Sequence, residues 1–239
     1  MSTRKTDFVE GEFYHLYSRG NSKQKIFLDD RDRDRFLKIL YLYNSPARID
    51  FKNDIADRKI NAWDFERGEP IVHIGAWVLM PNHFHLYITP KNTEARLPSK
   101  VPSISSQNSI TDFMHRVLTS YSKYFNNRHQ RTGSLFEGKF KSVHIQNNNH
   151  AKYLFSYIHL NPLKLFDKKW KEQKSGNERG LKKFLDSYKW SSYSDYLGIN
   201  RSENKIIHKI NFPRYFESKN SFQKEIFDWI KINILDFKE

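Results

Sequence analysis

Apolar positions recur at two spacings along the chain, and each spacing predicts a different kind of element. Runs of aromatic and β-branched residues bounded by turn residues are typical of strands, whereas apolar positions three and four apart are typical of helices. The predicted strands are residues 12–19, 71–79, 83–89 and 139–145. The predicted helices begin at Asp29 or Asp30 and end near Tyr43, cover residues 109–128, and extend from about 150 to 160.

The order of these elements is strand, helix, strand, strand, helix, strand, helix. Met80-Pro81-Asn82 interrupts the second and third strands and predicts an antiparallel hairpin. Asn161-Pro162 ends the last of these helices. We therefore expect an α+β fold, a ferredoxin-like antiparallel sheet with packed helices, followed by a C-terminal helical extension.

Composition along the chain divides it into two parts. Residues 1–163 contain the predicted sheet, with a polar insertion at about 44–70 and a serine- and proline-rich loop at 97–107. Residues 164–239 form a basic and helical extension. Within it we expect a short docked helix at 190–198, a linker at 200–209 and an amphipathic helix at 221–237 with an apolar stripe at Phe222, Ile226, Ile230 and Ile234.

Charge and composition narrow the possible partners. The 239-residue chain has a formal net charge of +14, which favours a polyanion, above all nucleic acid. It contains no cysteine, so disulfides and thiolate chemistry are excluded and a reducing cytoplasm is expected. No apolar stretch approaches the length of a membrane span, and the first residues do not have the pattern of a signal peptide.

His83-Phe84-His85 lies in a predicted strand, so both imidazoles should point to one face and Phe84 to the other. Two neutral imidazoles side by side suit Mn²⁺, Zn²⁺ or another divalent cation. With 10 histidines in the chain, the spacing is equally typical of two half-exposed strand residues, and taken alone it slightly favours that interpretation.

Tyr157 and Asn161 are four residues apart in a predicted helix, which places a phenol and a carboxamide on one helical face. The same pair is also typical of a tyrosine that packs in the core and an asparagine that ends a helix. Residues 128–141 mix basic and aromatic side chains, typical of a solvated surface or of a groove that contacts phosphates. Combined, a metal pair, a tyrosine and a basic groove are the components of single-strand DNA cleavage.

Several stretches, in order, resemble the single-tyrosine HUH transposases, in particular the REP-associated tyrosine transposases. HUH denotes two histidines separated by a hydrophobic residue. The matching stretches are YHLYSRGN (14–21), IFLDDRDRDRF (26–36), WVLMPNHFHL (77–86), YFNNRHQRTGSLFEGKFK (124–141), YIHLNP (157–162) and WSSYSDYLG (190–198).

This resemblance implies a transposase that recognises DNA hairpins, cleaves one strand through a 5′-phosphotyrosine and rejoins it. Tyr157 would be the nucleophile, and His83, His85 and Asn161 would hold Mg²⁺ or Mn²⁺. The implied partner is single-stranded or hairpin DNA, and no association with a membrane is implied. The protein would act as a monomer or a homodimer. The implied DNA contacts are Arg19, Gly20, Asn21, Arg128, Arg131, Lys139 and Lys141.

Two other functions remain open at the level of the sequence. One is a non-catalytic nucleic-acid-binding protein that uses the same fold. The other is a phosphodiesterase that activates a metal-bound water, which would require acidic ligands, and no Asp or Glu occurs between His83 and Pro90. A covalent DNA–protein adduct would form only in the transposase.

Overall fold

The computed structural model describes residues 7–91, 106–168, 170 and 178–231. The strands are β1 (Phe13–Arg19), β2 (Val72–Met80), β3 (His83–Pro90) and β4 (Lys141–Ile145). The longer helices are α1 (Asp30–Tyr43), α2 (Ser106–Arg128) and α3 (Asn148–Leu160). They are followed by α4 (Leu163–Phe166), α5 (Glu178–Ser187), α6 (Tyr193–Tyr196) and α7 (Lys219–Lys231).

The four strands form one antiparallel sheet in the order β2-β3-β1-β4. This order, with one helix between β1 and β2 and another between β3 and β4, is the ferredoxin-like arrangement that the sequence predicts, and the α+β class is confirmed. The register pairs Tyr17 with His85 and Arg19 with His83. Because directly opposed residues point to the same face, the register decides which β1 side chains meet the two histidines.

Alternating side chains build a separate apolar core on each face of the sheet. On one face, α1 and α2 pack against the strands through Phe36, Leu40, Phe113, Val117, Leu16, Phe84 and Leu86. On the other face, α3 and the C-terminal helices pack through Leu154, Ile158, Leu185, Tyr193, Phe222, Val78 and Tyr87. The near-continuous burial of β2 and β3 follows from this coverage of both faces.

Side-chain caps explain where two of the helices begin. The Asp29 carboxylate accepts a hydrogen bond from the backbone N–H of Asp32, and the Asn147 side chain accepts one from the N–H of His150. Such caps satisfy amide groups that have no partner inside the helix. The second cap sets the first turn of α3, the helix that carries Tyr157.

The insertion at 44–70 folds against α1 with two short helical turns, Phe51–Ala56 and Ala62–Asp64. Asn44 anchors its start, because its side chain accepts hydrogen bonds from the N–H groups of Ile71 and Val72 and donates one to the carbonyl of Val72. Trp63 is buried in the core beside α1. The insertion therefore extends the fold on its α1 side.

Residues 200–209 do not form the expected linker. The backbone N–H of His208 donates to the carbonyl of Ile74 (2.9 Å), the N–H of Ile74 donates to His208 Nδ1 (3.2 Å), and Ile206 is buried. The segment pairs with the free edge of β2, which is an outer strand of the sheet that the described residues form. A polar composition concealed this long-range pairing.

Two predicted features lie partly outside the described residues. The first is the loop at 97–107, of which residues 97–105 are not described and 106–107 begin α2. The second is the apolar stripe of α7, for which Phe222 and Ile226 are buried, whereas the side chains of Ile230 and Ile234 fall outside the description. Across the described part of the chain, no helix has the length and apolar character needed to cross a membrane.

Candidate active site

His83 and His85 lie on one face of β3, as the strand alternation requires. Their ring centroids are 5.0 Å apart and the ring planes are nearly perpendicular. Phe84 points to the opposite face, where its ring packs 4.9 Å from that of Phe36 on α1. The structure therefore brings together the two imidazoles that the sequence singled out, and it anchors their strand from behind with an aromatic core.

β1 adds a third imidazole to this face. His15 Nε2 lies 2.8 Å from His85 Nδ1, within hydrogen-bond distance, and the two rings stack with centroids 5.0 Å apart. The Tyr17 ring lies 5.8 Å from that of His85. Sequence reasoning did not identify His15, because its position two residues before Tyr17 becomes informative only when the β1–β3 register is known.

The turn before His83 is held from outside the hairpin. The carbonyl of Pro81 accepts hydrogen bonds from the N–H groups of Ile26 and Phe27, at 2.9 and 3.1 Å. The carbonyl of Asn82 accepts one from the N–H group of Gly20 at 2.8 Å. Asn82 Oδ1 lies 2.6 Å from His83 Nδ1, within hydrogen-bond distance. The segment that follows β1 therefore positions the first histidine of the pair.

Helix α3 lies across this face of the sheet and places Tyr157 beside His85. The two ring centroids are 5.4 Å apart, with planes nearly perpendicular, and Tyr157 is 8% exposed. Lys164 Nζ lies 5.4 Å from the centre of the Tyr157 ring. The phenol that the sequence singled out is therefore adjacent to one of the histidines and to a cation.

Asn161 follows α3 and is 2% exposed. Its backbone N–H donates to the carbonyl of Tyr157 at 2.9 Å, which continues the helix by one residue. Both side-chain amide atoms are buried, and neither has a hydrogen-bond partner among the described residues. Buried polar atoms in this state are uncommon in folded proteins and call for an explanation.

The surroundings of His85 favour a neutral imidazole, the form that binds metals. Burial lowers the pKa of His85 well below its ordinary value, and nearby His, Lys and Arg side chains add to this effect. Its Nε2 is buried with no hydrogen-bond partner in the described part of the chain. Imidazole nitrogens and amide oxygens both bind divalent transition metals, so His83, His85 and Asn161 fit such an ion chemically.

The described residues contain no group of three or more His, Cys, Asp or Glu side chains arranged to hold a metal ion. His15 does not supply a third ligand through Nε2, because that atom is engaged with His85. An ion at this place would therefore depend on two imidazoles together with the Asn161 amide.

A cavity of about 100 Å³ opens beside the histidines. Its lining residues are Tyr17, Ser18, Arg19, His83, His85, Glu137, Lys139 and Lys141. Lys139 and Lys141 are exposed, so their charges reach solvent at the mouth of the cavity. Tyr157 and Asn161 are not part of this lining; Tyr157 contacts His85 from the side of α3.

Arg128 and Arg131, the two arginines of residues 128–141 that the resemblance implies as DNA contacts, lie away from this cavity. Arg128 forms ion pairs with Asp29 and with Asp32, which is fully buried. Arg131 donates to the side-chain oxygens of Asn126 (2.7 Å) and Gln24 (3.2 Å). Both join α2 to the segment around α1, and neither lines the cavity.

Gly20 and Asn21 form the turn after β1. The N–H of Asn21 donates to the carbonyl of Leu135 at 2.9 Å, which ties this turn to the segment before β4. A Cβ on residue 20 would lie 2.2 Å from the carbonyl oxygen of Gln24, so only glycine fits there. The turn has a structural role of its own, whether or not it contacts DNA.

Fold and site together define a ferredoxin-like α+β protein whose sheet carries paired histidines beside a tyrosine and a basic cavity. No family model matches the chain, and no curated protein matches its sequence. One solved structure that the chain matches is that of a REP-associated tyrosine transposase bound to a REP hairpin. That chain is 16% identical, the match covers 85% of this chain and 90% of the other, and the TM-score is 0.45.

Proposed function

We propose that this protein is a metal-dependent single-strand DNA endonuclease and strand transferase, a transposase that acts on hairpin DNA. The observation that carries the proposal is the position of Tyr157, whose ring lies 5.4 Å from that of His85 on the face that His83 shares. Four of the matched sequence stretches support the same function, because residues from each lie in this one region: 14–21, 77–86, 124–141 and 157–162.

The proposed reaction is an in-line displacement at phosphorus. Tyr157 loses its phenol proton, and its oxygen forms a bond to the phosphorus as the bond from phosphorus to the 3′-oxygen breaks. The departing oxygen takes up one proton to become a 3′-hydroxyl, so the step releases no net proton. The product is a 5′-phosphotyrosine, which a later 3′-hydroxyl can attack to rejoin the strand. Lys164 supplies positive charge next to the phenol, where negative charge develops.

His83, His85 and Asn161 would hold the divalent cation, Mg²⁺ or Mn²⁺. When bound, such an ion supplies Lewis acidity toward a phosphate oxygen. The burial of His85 keeps its ring neutral and ready to bind, and the buried amide of Asn161 offers an oxygen with no other partner among the described residues.

The DNA strand would enter along the cavity, where Arg19, Lys139 and Lys141 can neutralise phosphates. Gly20 and Asn21 lie in the adjoining turn. Arg128 and Arg131 are engaged in contacts within the protein, so the structure gives less support to their role as DNA contacts.

The test is adduct formation with a DNA hairpin that carries a single-stranded extension and a label on the 3′ side of the cleavage point. Mn²⁺ is present, and a denaturing gel separates labelled protein from free DNA. We expect an adduct with the natural chain and none with Tyr157→Phe, which loses one oxygen and keeps its ring. Tyr153→Phe is the matched control, since Tyr153 lies one turn earlier on α3 and is buried to the same degree.

An adduct with Tyr157→Phe, or an adduct mapped by mass spectrometry to another residue, would refute the assignment. Cleaved DNA without an adduct would indicate a phosphodiesterase that uses water.

The second candidate is a non-catalytic hairpin-binding protein. The observation that favours it is the burial of Tyr157, which is 8% exposed and does not line the cavity. Tight hairpin binding with neither adduct nor cleaved product, across Mg²⁺ and Mn²⁺, would support this candidate over the transposase.

A further inference from the structure

We propose that His15 and Asn82 are positioning residues that set the tautomers of His85 and His83, so that both rings present an unprotonated Nε2 to the site. The inference deepens the proposed function and rests on it for its purpose. A neutral imidazole carries its proton on one nitrogen and a lone pair on the other, and only the lone pair can bind a metal. The partner of Nδ1 therefore decides what Nε2 can do.

Asn82 determines the tautomer of His83. The Asn82 amide nitrogen donates to the carbonyl of Lys23 at 3.3 Å, and a carbonyl can only accept. This contact orients the amide and turns Oδ1 toward His83 Nδ1, 2.6 Å away. Because Oδ1 is also purely an acceptor, His83 must donate from Nδ1, which leaves the lone pair on Nε2.

His15 determines the tautomer of His85. Either His85 Nδ1 donates to His15 Nε2 across their 2.8 Å contact, or the reverse. In the reverse case, His85 would carry its proton on Nε2, a buried atom with no acceptor among the described residues. A buried N–H without an acceptor costs about 1–3 kcal/mol, so the first arrangement is favoured.

The two positioning residues come from different parts of the chain and act alike. His15 lies on β1, and Asn82 lies in the turn before β3, where the segment after β1 holds it through Gly20 and Lys23. β1 and the residues that follow it thus prepare both histidines. The site is arranged for a cation before any cation or DNA arrives.

The direct test is the tautomeric state of each ring in the metal-free protein. Long-range ¹H–¹⁵N correlation spectra of protein labelled with ¹⁵N-histidine distinguish protonated from bare ring nitrogens, and His83→Gln and His85→Gln variants assign the signals. At neutral pH we expect both rings to be protonated at Nδ1 and bare at Nε2. A proton on Nε2 of either ring would overturn the inference. This measurement involves neither metal nor DNA, so a failure of the proposed function leaves its result unaffected.

Variants test whether the two residues cause this state. His15→Phe keeps an aromatic ring and removes the acceptor, so His85 should become a mixture of tautomers while His83 is unchanged. Asn82→Ala should have the converse effect, and Asn82→Asp, which can only accept, should retain the Nδ1–H form of His83. Mn²⁺ affinity, measured from the EPR signal of the free ion, should fall about 10- to 100-fold in His15→Phe and Asn82→Ala.

His144→Phe serves as the control, because His144 pairs with Glu12 away from this site. It should change neither the tautomers of His83 and His85 nor Mn²⁺ affinity. Unchanged tautomers in His15→Phe and Asn82→Ala would overturn the positioning role. If the natural chain binds no Mn²⁺, the tautomer measurement alone tests the inference. If a variant does not fold, the ring tautomers in the spectrum of the natural chain test it.

Discussion

Replacing Lys139 and Lys141 with glutamine should weaken DNA binding in a way that depends on salt. Both side chains are exposed, and both line the cavity beside His83 and His85. A lysine that neutralises one phosphate of a single strand contributes about 0.7 to the slope of log affinity against log salt. The double variant should therefore flatten this slope by about 1.4.

The corresponding change in affinity is easily measured. Between about 50 and about 200 mM salt, the natural chain should lose roughly sevenfold more affinity than the double variant, since a fourfold rise in salt acts through a slope difference of about 1.4. The assay is fluorescence anisotropy of a labelled hairpin with a single-stranded extension, titrated at several salt concentrations. Hairpins of unrelated sequence should be affected by similar factors, because phosphate contacts carry little sequence information.

Two controls separate local contacts from total charge. Lys182→Gln with Lys183→Gln removes the same charge from exposed positions on α5 and should leave the slope nearly unchanged. Arg128→Gln should also leave the slope unchanged while reducing thermal stability, because its guanidinium is engaged with Asp29 and Asp32. An unchanged slope for the Lys139 and Lys141 variant would refute the proposed DNA path.

His83→Ala or His85→Ala should abolish adduct formation and spare most hairpin affinity, and excess chelator should have the same effect until Mn²⁺ is restored; full cleavage in excess chelator would contradict metal dependence. Gly20→Ala should destabilise the fold by about 1–3 kcal/mol in urea unfolding, because the added Cβ would lie 2.2 Å from the carbonyl oxygen of Gln24; equal stability would show that the turn can relax. His159 is fully buried and its pKa is lowered to about 3, so below pH about 6.5 the unfolded chain binds a proton that the folded chain excludes. Stability should therefore fall from pH 7 to pH 5, by up to about 1.4 kcal/mol per pH unit for this group, and His159→Gln should reduce that dependence; an identical pH dependence in the variant would contradict this.

Local sequence patterns were sufficient to predict most of the elements and two relations within the candidate site. Alternation along β3 places His83 and His85 on one face, and helical spacing places Tyr157 and Asn161 on one side of α3 and the turn that follows it. These relations involve residues two to four positions apart, where strand and helix geometry alone determines direction. The strand order followed from the order of elements, since short connections favour a ferredoxin-like sheet.

Other relations were decided by tertiary structure. His15 and His85 are 70 positions apart, and Arg128 and Asp32 are 96 apart. In the first pair, the register of β1 on β3 places His15, which no local sequence pattern singles out, next to the candidate ligand His85. In the second, the packing of α2 against α1 places an apparent DNA contact on two carboxylates.

The same reason explains the edge of β2, where polar residues 200–209 supply a pairing segment that composition did not indicate. Hydrophobic periodicity records which face of an element is buried, but it does not record which distant polar group will lie opposite. That choice depends on strand register and helix packing, which form only when the whole chain has folded.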